Sequence, residues 1–256
     1  SSRQTRQEKF DLGDLPKYLN KTSTASSTNW KIRPVPADYQ TRRVEITGPV
    51  NDTKMVINML SRNESGARAD TAMLDFEDSM KPSWNNVVDG IYNVIEASKG
   101  TLSFTKKATK KTSEKKYQLD KNDMAGMMVR VRGLHLSESN ITVDDEPISA
   151  GLFDLVVSFY HSHKQLMEQN KTPKYYIPKC EHHLEARWWE TLFTNLEKSL
   201  NVPIGTLRCT FLIETLTAAF QIEEILYEIR EHATGLNVGR WDKIFSDIKV
   251  LRNHPD

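Results

Sequence analysis

The sequence predicts an α/β protein of parallel strands and covering helices, in the form of an eight-stranded (β/α)8 barrel of which about six strands are present. Three observations carry this. From Arg43 onward, short apolar runs alternate with amphipathic segments. The runs are apolar on both faces, as strands buried between layers of helices must be. They recur near residues 44, 72, 127, 175, 207 and 235, which is fewer than the eight strands of a closed barrel of typically ~250 residues.

The elements follow in order. Residues 1–43 hold a Ser/Thr/Asn cluster (Thr22 to Thr28) and scattered prolines, so an irregular N-terminal segment is expected. The barrel domain is expected over residues 44–256. VEITG (44–48) precedes KMVINML, and AMLDF (72–76) precedes NNVVDGIYNVIEAS (85–98). The alternation is interrupted at 101–126, where TLSFTKKATKKTSEKKYQLD has strand-like ends around a Lys/Thr-rich middle and reads as a hairpin insertion. That middle could be an anion-binding patch or a solvated loop, and the solvated loop is the commoner use of such a run. MMVRV (127–131) leads to GLFDLVVSFYHSHKQLM (151–167), and YYIPK (175–179) to HLEARWWETLFTNLEKSL (183–200). LRCTFLI (207–213) leads to one long helix over 215–232, where Leu216, Ala219, Phe220, Ile222, Ile225, Leu226 and Ile229 share a face. A short strand GLNVG (235–239) and a helix IFSDIKVL (244–251) complete the series.

Composition narrows the function classes. With 256 residues and 38% hydrophobic content, the chain can bury a sizeable core. Basic residues exceed acidic ones by 35 − 34 = +1, so overall charge suggests neither nucleic acid nor an anionic membrane as partner, and small molecules are expected instead. No run reaches the ~20 apolar residues that span a bilayer. Cys180 and Cys209 have neither disulfide-framework nor zinc-type spacing, which suits a reducing compartment.

Parallel α/β folds carry chemistry at the C-terminal ends of their strands. Glu214 closes the apolar run TFLI, and Asp242 follows GLNVG one strand–helix–strand unit later, so the two acids converge on one rim. Neighbouring carboxylates repel unless a cation or proton lies between them, and Mg²⁺ is commonly held by one or two carboxylates. Glu214 could equally serve as a helix N-terminal acid and Asp242 as an N-cap. LDFEDS (74–79) delivers Asp75, Glu77 and Asp78 to another strand end. VRVRG (129–133) places Arg130 and Arg132 on one side of a strand by alternation, aimed with the acids or locked in salt bridges.

Longer motifs then match a family. NWKIRPVPADYQTRRVEITGPV, MLDFEDSMKPSW, VRVRGLHL, PISAGLFDLVVSFYHSH, YYIPKCEHHLEARWWETLF and TLRCTFLIETLTAAFQIEEILYEIREHATGLNVGRWDKIFSDIKVLRN occur in that order, covering about residues 29 to 256. Together they resemble malate synthase of the shorter, A-type form. The resemblance implies a TIM barrel that condenses acetyl-CoA with glyoxylate and water, with Mg²⁺, giving malate and CoA in the glyoxylate cycle. It implies a peroxisomal or glyoxysomal location in a eukaryote and a cytoplasmic one in a bacterium. By matching motif positions, it assigns Glu214 and Asp242 to the metal and Arg130 to catalysis at glyoxylate. Asp78, Gly239 and Trp241 are assigned to the substrate side. The family's catalytic base lies in a motif like MEDAAT, which does not occur among the 256 residues. On that ground the chain by itself is expected to be inactive and poorly stable, as part of a longer enzyme. The alternatives are a truncated barrel that binds Mg²⁺ and a small oxo-acid, and a malyl-CoA or citramalyl-CoA lyase.

Overall fold

The computed structural model describes residues 2–20, 23–110 and 113–254. Thr22 of the Ser/Thr cluster, Lys111 and Thr112 of the Lys/Thr-rich stretch, and Asp256 lie outside them. The chain forms two compact units, Ser1–Pro34 with Ile177–Asp256, and Val35–Tyr176.

The N-terminal residues are more regular than their composition suggests. They form α1 (Ser2–Asp11) and α2 (Thr24–Ser27). No apolar stripe announces α1, because it is held by polar contacts. Gln4 and Gln7 bond Glu8 and Asp11 one turn on, while Arg3 and Arg6 pair with Glu185 and Glu181 of the same unit.

In Val35–Tyr176 the order is β1 (Glu45–Pro49), α3 (Thr53–Leu60), β2 (Thr71–Asp75), α4 (Trp84–Lys99), β3 (Ser103–Lys106), β4 (Lys115–Gln118), β5 (Gly126–Arg130), β6 (Ser137–Val143), β7 (Glu146–Ser149), α5 (Ala150–Glu168) and β8 (Lys174–Ile177), whose last residue begins the other unit. β1, β2, β5 and β8 are parallel neighbours in that order. All of β2 and β8 is buried, whereas Glu45, Ile46 and Thr47 of β1 are exposed. α4 buries Val87, Ile91 and Val94 at helical spacing, and each such side chain contributes ~2 kcal/mol on leaving water. It stops at Gly100, whose φ of 73° is the left-handed conformation that a residue without Cβ adopts cheaply.

The register levels the C-terminal ends of these strands. Pro49 lies opposite Asp75, Asp75 opposite Arg130, and Arg130 opposite Tyr176. The expected hairpin insertion is β3–β4, antiparallel and almost wholly exposed. A second hairpin, β6–β7, is absent from the sequence reading because its residues are mostly polar. Its two-residue turn, Asp144-Asp145, has φ of 52° and 65°, the pattern that suits hairpin twist.

The other unit continues with α6 (His183–Ser199), β9 (Arg208–Ile213), α7 (Leu216–Ala219), α8 (Ile222–Glu228), β10 (Ala233–Val238) and α9 (Arg240–Leu251). β9 and β10 are parallel, with Ile213 opposite Val238. The long helix expected over 215–232 is two helices. Gln221 leaves helical geometry at φ −138° and turns its side-chain oxygen onto the His183 amide at 3.0 Å, which breaks the run. α9 begins at Arg240 rather than at 244, so Gly239 is its N-cap and Asp242 lies in its first turn. Asp242 is therefore not the N-cap. Among the described residues the parallel strands number six, β1, β2, β5, β8, β9 and β10. No described helix is long and apolar enough to cross a membrane.

A buried ionic cluster ties α6 to the two strands that follow it. His232, fully buried, contacts Glu190 Oε2 through Nδ1 at 2.8 Å and Glu197 Oε2 through Nε2 at 3.0 Å. Glu197 also accepts the Gly205 and Leu207 amides at 3.0 and 2.7 Å. Burial disfavours the imidazolium, but the two carboxylates overcome it and raise the His232 pKa from 6.5 to about 9. A raised folded pKa gives stability that is complete below 6.5 and is lost as pH rises through about 9. Unfolding by urea should thus show about 3 kcal/mol less stability at high pH from this group. His232→Gln should flatten that slope, and an unchanged slope in the variant would contradict the assignment.

Candidate active site

The strand-end residues singled out in the sequence fall into two clusters, one in each unit. In Val35–Tyr176 the centre is Arg130, at the end of β5. Its register partner on β2 is Asp75, and paired residues of neighbouring parallel strands point to the same face. The result is a two-pronged ion pair: Arg130 Nε donates to Asp75 Oδ1 at 2.7 Å and Nη2 to Oδ2 at 2.6 Å. Asp75 is fully buried and also accepts the Glu77 and Ser79 amides, each at 2.9 Å, which folds the FEDS turn around it. Burial works against both charges. The pair more than offsets it, holding Asp75 below the usual carboxylate range and Arg130 above the usual guanidinium range. Nη1 of Arg130 is left with longer ion-pair contacts, 3.7 Å to Glu77 and 3.8 Å to the half-exposed Asp78.

Arg132 does not share this face. β5 ends at Arg130, so alternation does not carry on to Arg132. It is buried against Asp154 of α5, with Nε–Oδ2 at 2.9 Å and Nη2–Oδ1 at 2.8 Å, and against Glu138 of β6 at 2.9 Å. This ion triad has structural partners on every donor edge.

The second cluster lies beyond β9 and β10. Because Ile213 and Val238 are opposite each other, the next residues, Glu214 and Gly239, become neighbours. A Cβ at position 239 would collide with the Glu214 carboxylate, so the glycine permits the approach. Asp242 follows within the first turn of α9. Lys179, just past β8, joins both acids: its amide donates to Glu214 Oε1 at 2.7 Å and its ammonium lies 2.9 Å from Asp242 Oδ1. Glu214 is 1% exposed. Burial chiefly, and then the Asp242 charge, push its pKa up to about 7 against the opposing influence of Lys179. The loop is fixed by Thr215, which caps α7 and donates to Cys180 O at 2.7 Å, and by Ser246 of α9, whose hydroxyl accepts the Leu216 amide at 2.9 Å.

Trp241 is 73% exposed, with its ring 4.8 Å beneath the Arg240 guanidinium. The first amides of α9 lack intrahelical acceptors by construction and can receive an anion. Among the described residues no group of three or more His, Cys, Asp or Glu side chains is arranged for a metal. One participant, Lys179, has no role in the sequence analysis: YYIPK reads as a strand through 179, whereas β8 ends at Ile177 and Lys179 lies in the loop beyond it. Asp75 is expected at a strand end, but its pairing with Arg130 depends on register.

Parallel-strand α/β proteins of the barrel class carry their polar sites at the C-terminal ends of strands, where each of the two clusters lies within its own unit. Comparison with known proteins narrows the class. The family model for the malate synthase TIM barrel domain matches residues 126–256, and the chain belongs to the malate synthase family. Malate synthase A of Escherichia coli is 45% identical over 256 residues, covering 100% of this chain and 46% of that protein. The glyoxysomal malate synthase of Candida tropicalis is 43% identical, covering 100% and 45%, and that of Glycine max 42%, covering 99% and 44%. The chain thus spans a little under half the length of the curated relatives it matches. A solved malate synthase of Haloferax volcanii, a lead(II) complex, has a TM-score of 0.55 over 80% of this chain and 51% of its own, and at 15% identity it speaks to the fold alone.

Proposed function

We propose that this chain carries the metal- and glyoxylate-binding part of a malate synthase, which condenses acetyl-CoA with glyoxylate and hydrolyses the resulting thioester to malate and CoA. The observation that carries it is the Glu214–Asp242 pair, brought together by the register of β9 and β10 in a chain of this family. The pair fits Mg²⁺. A buried acid whose pKa rises to about 7 beside a second carboxylate is short of positive charge, and one or two carboxylates are what Mg²⁺ commonly takes from protein. When bound, Mg²⁺ supplies Lewis acidity toward the aldehyde oxygen.

The chain's own residues supply the rest. Glu214 and Asp242 would hold the ion, and the amides from Gly239 through Asp242 would receive the glyoxylate carboxylate. Arg130, with Nε and Nη2 committed to Asp75 and only longer contacts from Nη1 to Glu77 and Asp78, would turn the Nη1 edge to a substrate oxygen and stabilise enolate charge there. Asp78 would act at the polar rim beside it. None of residues 1–256 is assigned the removal of the acetyl proton. The barrel domain is proposed to comprise residues 44–256 with the β3–β4 insertion, and a glyoxysomal or peroxisomal location is proposed if the source is eukaryotic, a cytoplasmic one otherwise. The lyase alternative is not favoured, since the relatives reported above are malate synthases.

In the full-length protein, CoA thiol release should require acetyl-CoA, glyoxylate and Mg²⁺ together. Cleavage of malyl-CoA to free glyoxylate without net thiol release would support the lyase instead. Absence of thiol release under all conditions would remove the synthase reading.

A further inference from the structure

The loop after β8 holds Lys179 at φ 53°, a left-handed conformation that is unfavourable for a residue with a side chain. Such a conformation persists where surrounding contacts over-determine it. Here three of the residue's polar groups are engaged. The amide donates to Glu214 Oε1 at 2.7 Å, the carbonyl accepts Arg3 Nη2 at 2.8 Å, and the ammonium lies 2.9 Å from Asp242 Oδ1. Arg3 is in turn fixed on α1 by both oxygens of Glu185, each at 2.8 Å. One residue thus touches both acids of the pair, one by its backbone and the other by its charge.

We propose that Lys179 is the internal counter-cation of the acid pair: it positions both carboxylates in the metal-free protein and competes with the divalent ion for Asp242. The inference rests on the Mg²⁺ reading of Glu214 and Asp242. The two contacts have different consequences for binding. The amide is a neutral donor to Oε1 of Glu214, whose Oε2 lies beside Gly239, so it orients the acid without neutralising it. The ammonium sits on Oδ1 of Asp242, and a second cation drawn to the same carboxylate is repelled by it. Lys179 is therefore a positioning residue with an opposing influence on affinity.

Magnesium titration by calorimetry on the full-length protein, with thermal unfolding in chelator, tests this. Lys179→Met should lower the melting temperature of the metal-free protein, because the acid pair loses its cation. The same variant should tighten Mg²⁺ binding on the order of fivefold, equivalent to ~1 kcal/mol. A merely structural lysine would lower stability without tightening the metal. Lys179→Gly, which accepts the left-handed backbone without strain, should tighten binding likewise and serves if the Met variant does not fold. Lys179→Arg, keeping the charge, should stay near wild type. Wild-type or weaker Mg²⁺ affinity in both the Met and Gly variants, beside normal wild-type binding, overturns the proposal. No binding by the wild type overturns the Mg²⁺ reading itself, and this proposal with it.

Discussion

Glu214→Gln is expected to weaken Mg²⁺ binding by on the order of 10²-fold or more while leaving the metal-free protein as stable as wild type or more so. The two effects differ in sign because the carboxylate is costly to the fold and necessary to the ion. Glu214 is 1% exposed beside another acid, and burial has already raised its pKa to about 7. A neutral amide of the same shape removes the desolvation cost and the repulsion from Asp242 together, and can still accept the Lys179 amide. It cannot supply the charge that a hard dication requires. Calorimetric titration with Mg²⁺ and thermal unfolding in chelator measure the two effects separately. Normal Mg²⁺ affinity in the variant would end the metal assignment, and a large loss of stability without metal would show the carboxylate to be structural.

Asp75→Asn is expected to cost about 3–5 kcal/mol of unfolding free energy, the range found when one partner of a buried ion pair is removed. Arg130 then keeps its positive charge in a buried setting without the carboxylate that held two of its nitrogens. Arg130→Lys is the complementary change. A point ammonium cannot reproduce the fork to Asp75, so the proposed malate synthase turnover should fall while Mg²⁺ binding, proposed for Glu214 and Asp242, persists. Urea unfolding checks the first and steady-state kinetics beside metal titration the second. A Asp75→Asn protein within 1 kcal/mol of wild type would mean that Glu77 and Asp78 can take over as partners of Arg130.

The inner strands β2, β5, β8 and β9 were legible in the sequence because each is a short, largely apolar run, and LRCTFLI needs no partner to be recognised as buried. α4, α5 and α6 were legible through their 3.6-residue stripes. Elements whose stability comes from polar contacts were not. α1 is held by Arg3 and Arg6 ion pairs, and β6–β7 by a ladder between polar residues, so neither has a hydrophobic signature. The single helix expected over 215–232 failed because periodicity carries no information on Gln221 being drawn toward His183. At the candidate site, the positions of Glu214, Asp242 and Arg130 at strand ends could be read from the chain. Their partners could not, since whether Asp75 faces Arg130, or Glu214 meets Gly239, depends on register between segments far apart in sequence.

The Glu197 carboxylate has a consequence for how this molecule breathes. The connection from α6 to β9 looks like an ordinary surface loop, the kind that opens locally at little cost. Yet its Gly205 and Leu207 amides end on an acid that is fully buried and also bound to His232. Exchanging those hydrogens with solvent requires exposing the acid and its imidazolium partner. The loop therefore belongs to the same cooperative folding unit as α6, β9 and the start of β10, and its amides should exchange with the core rather than with the surface.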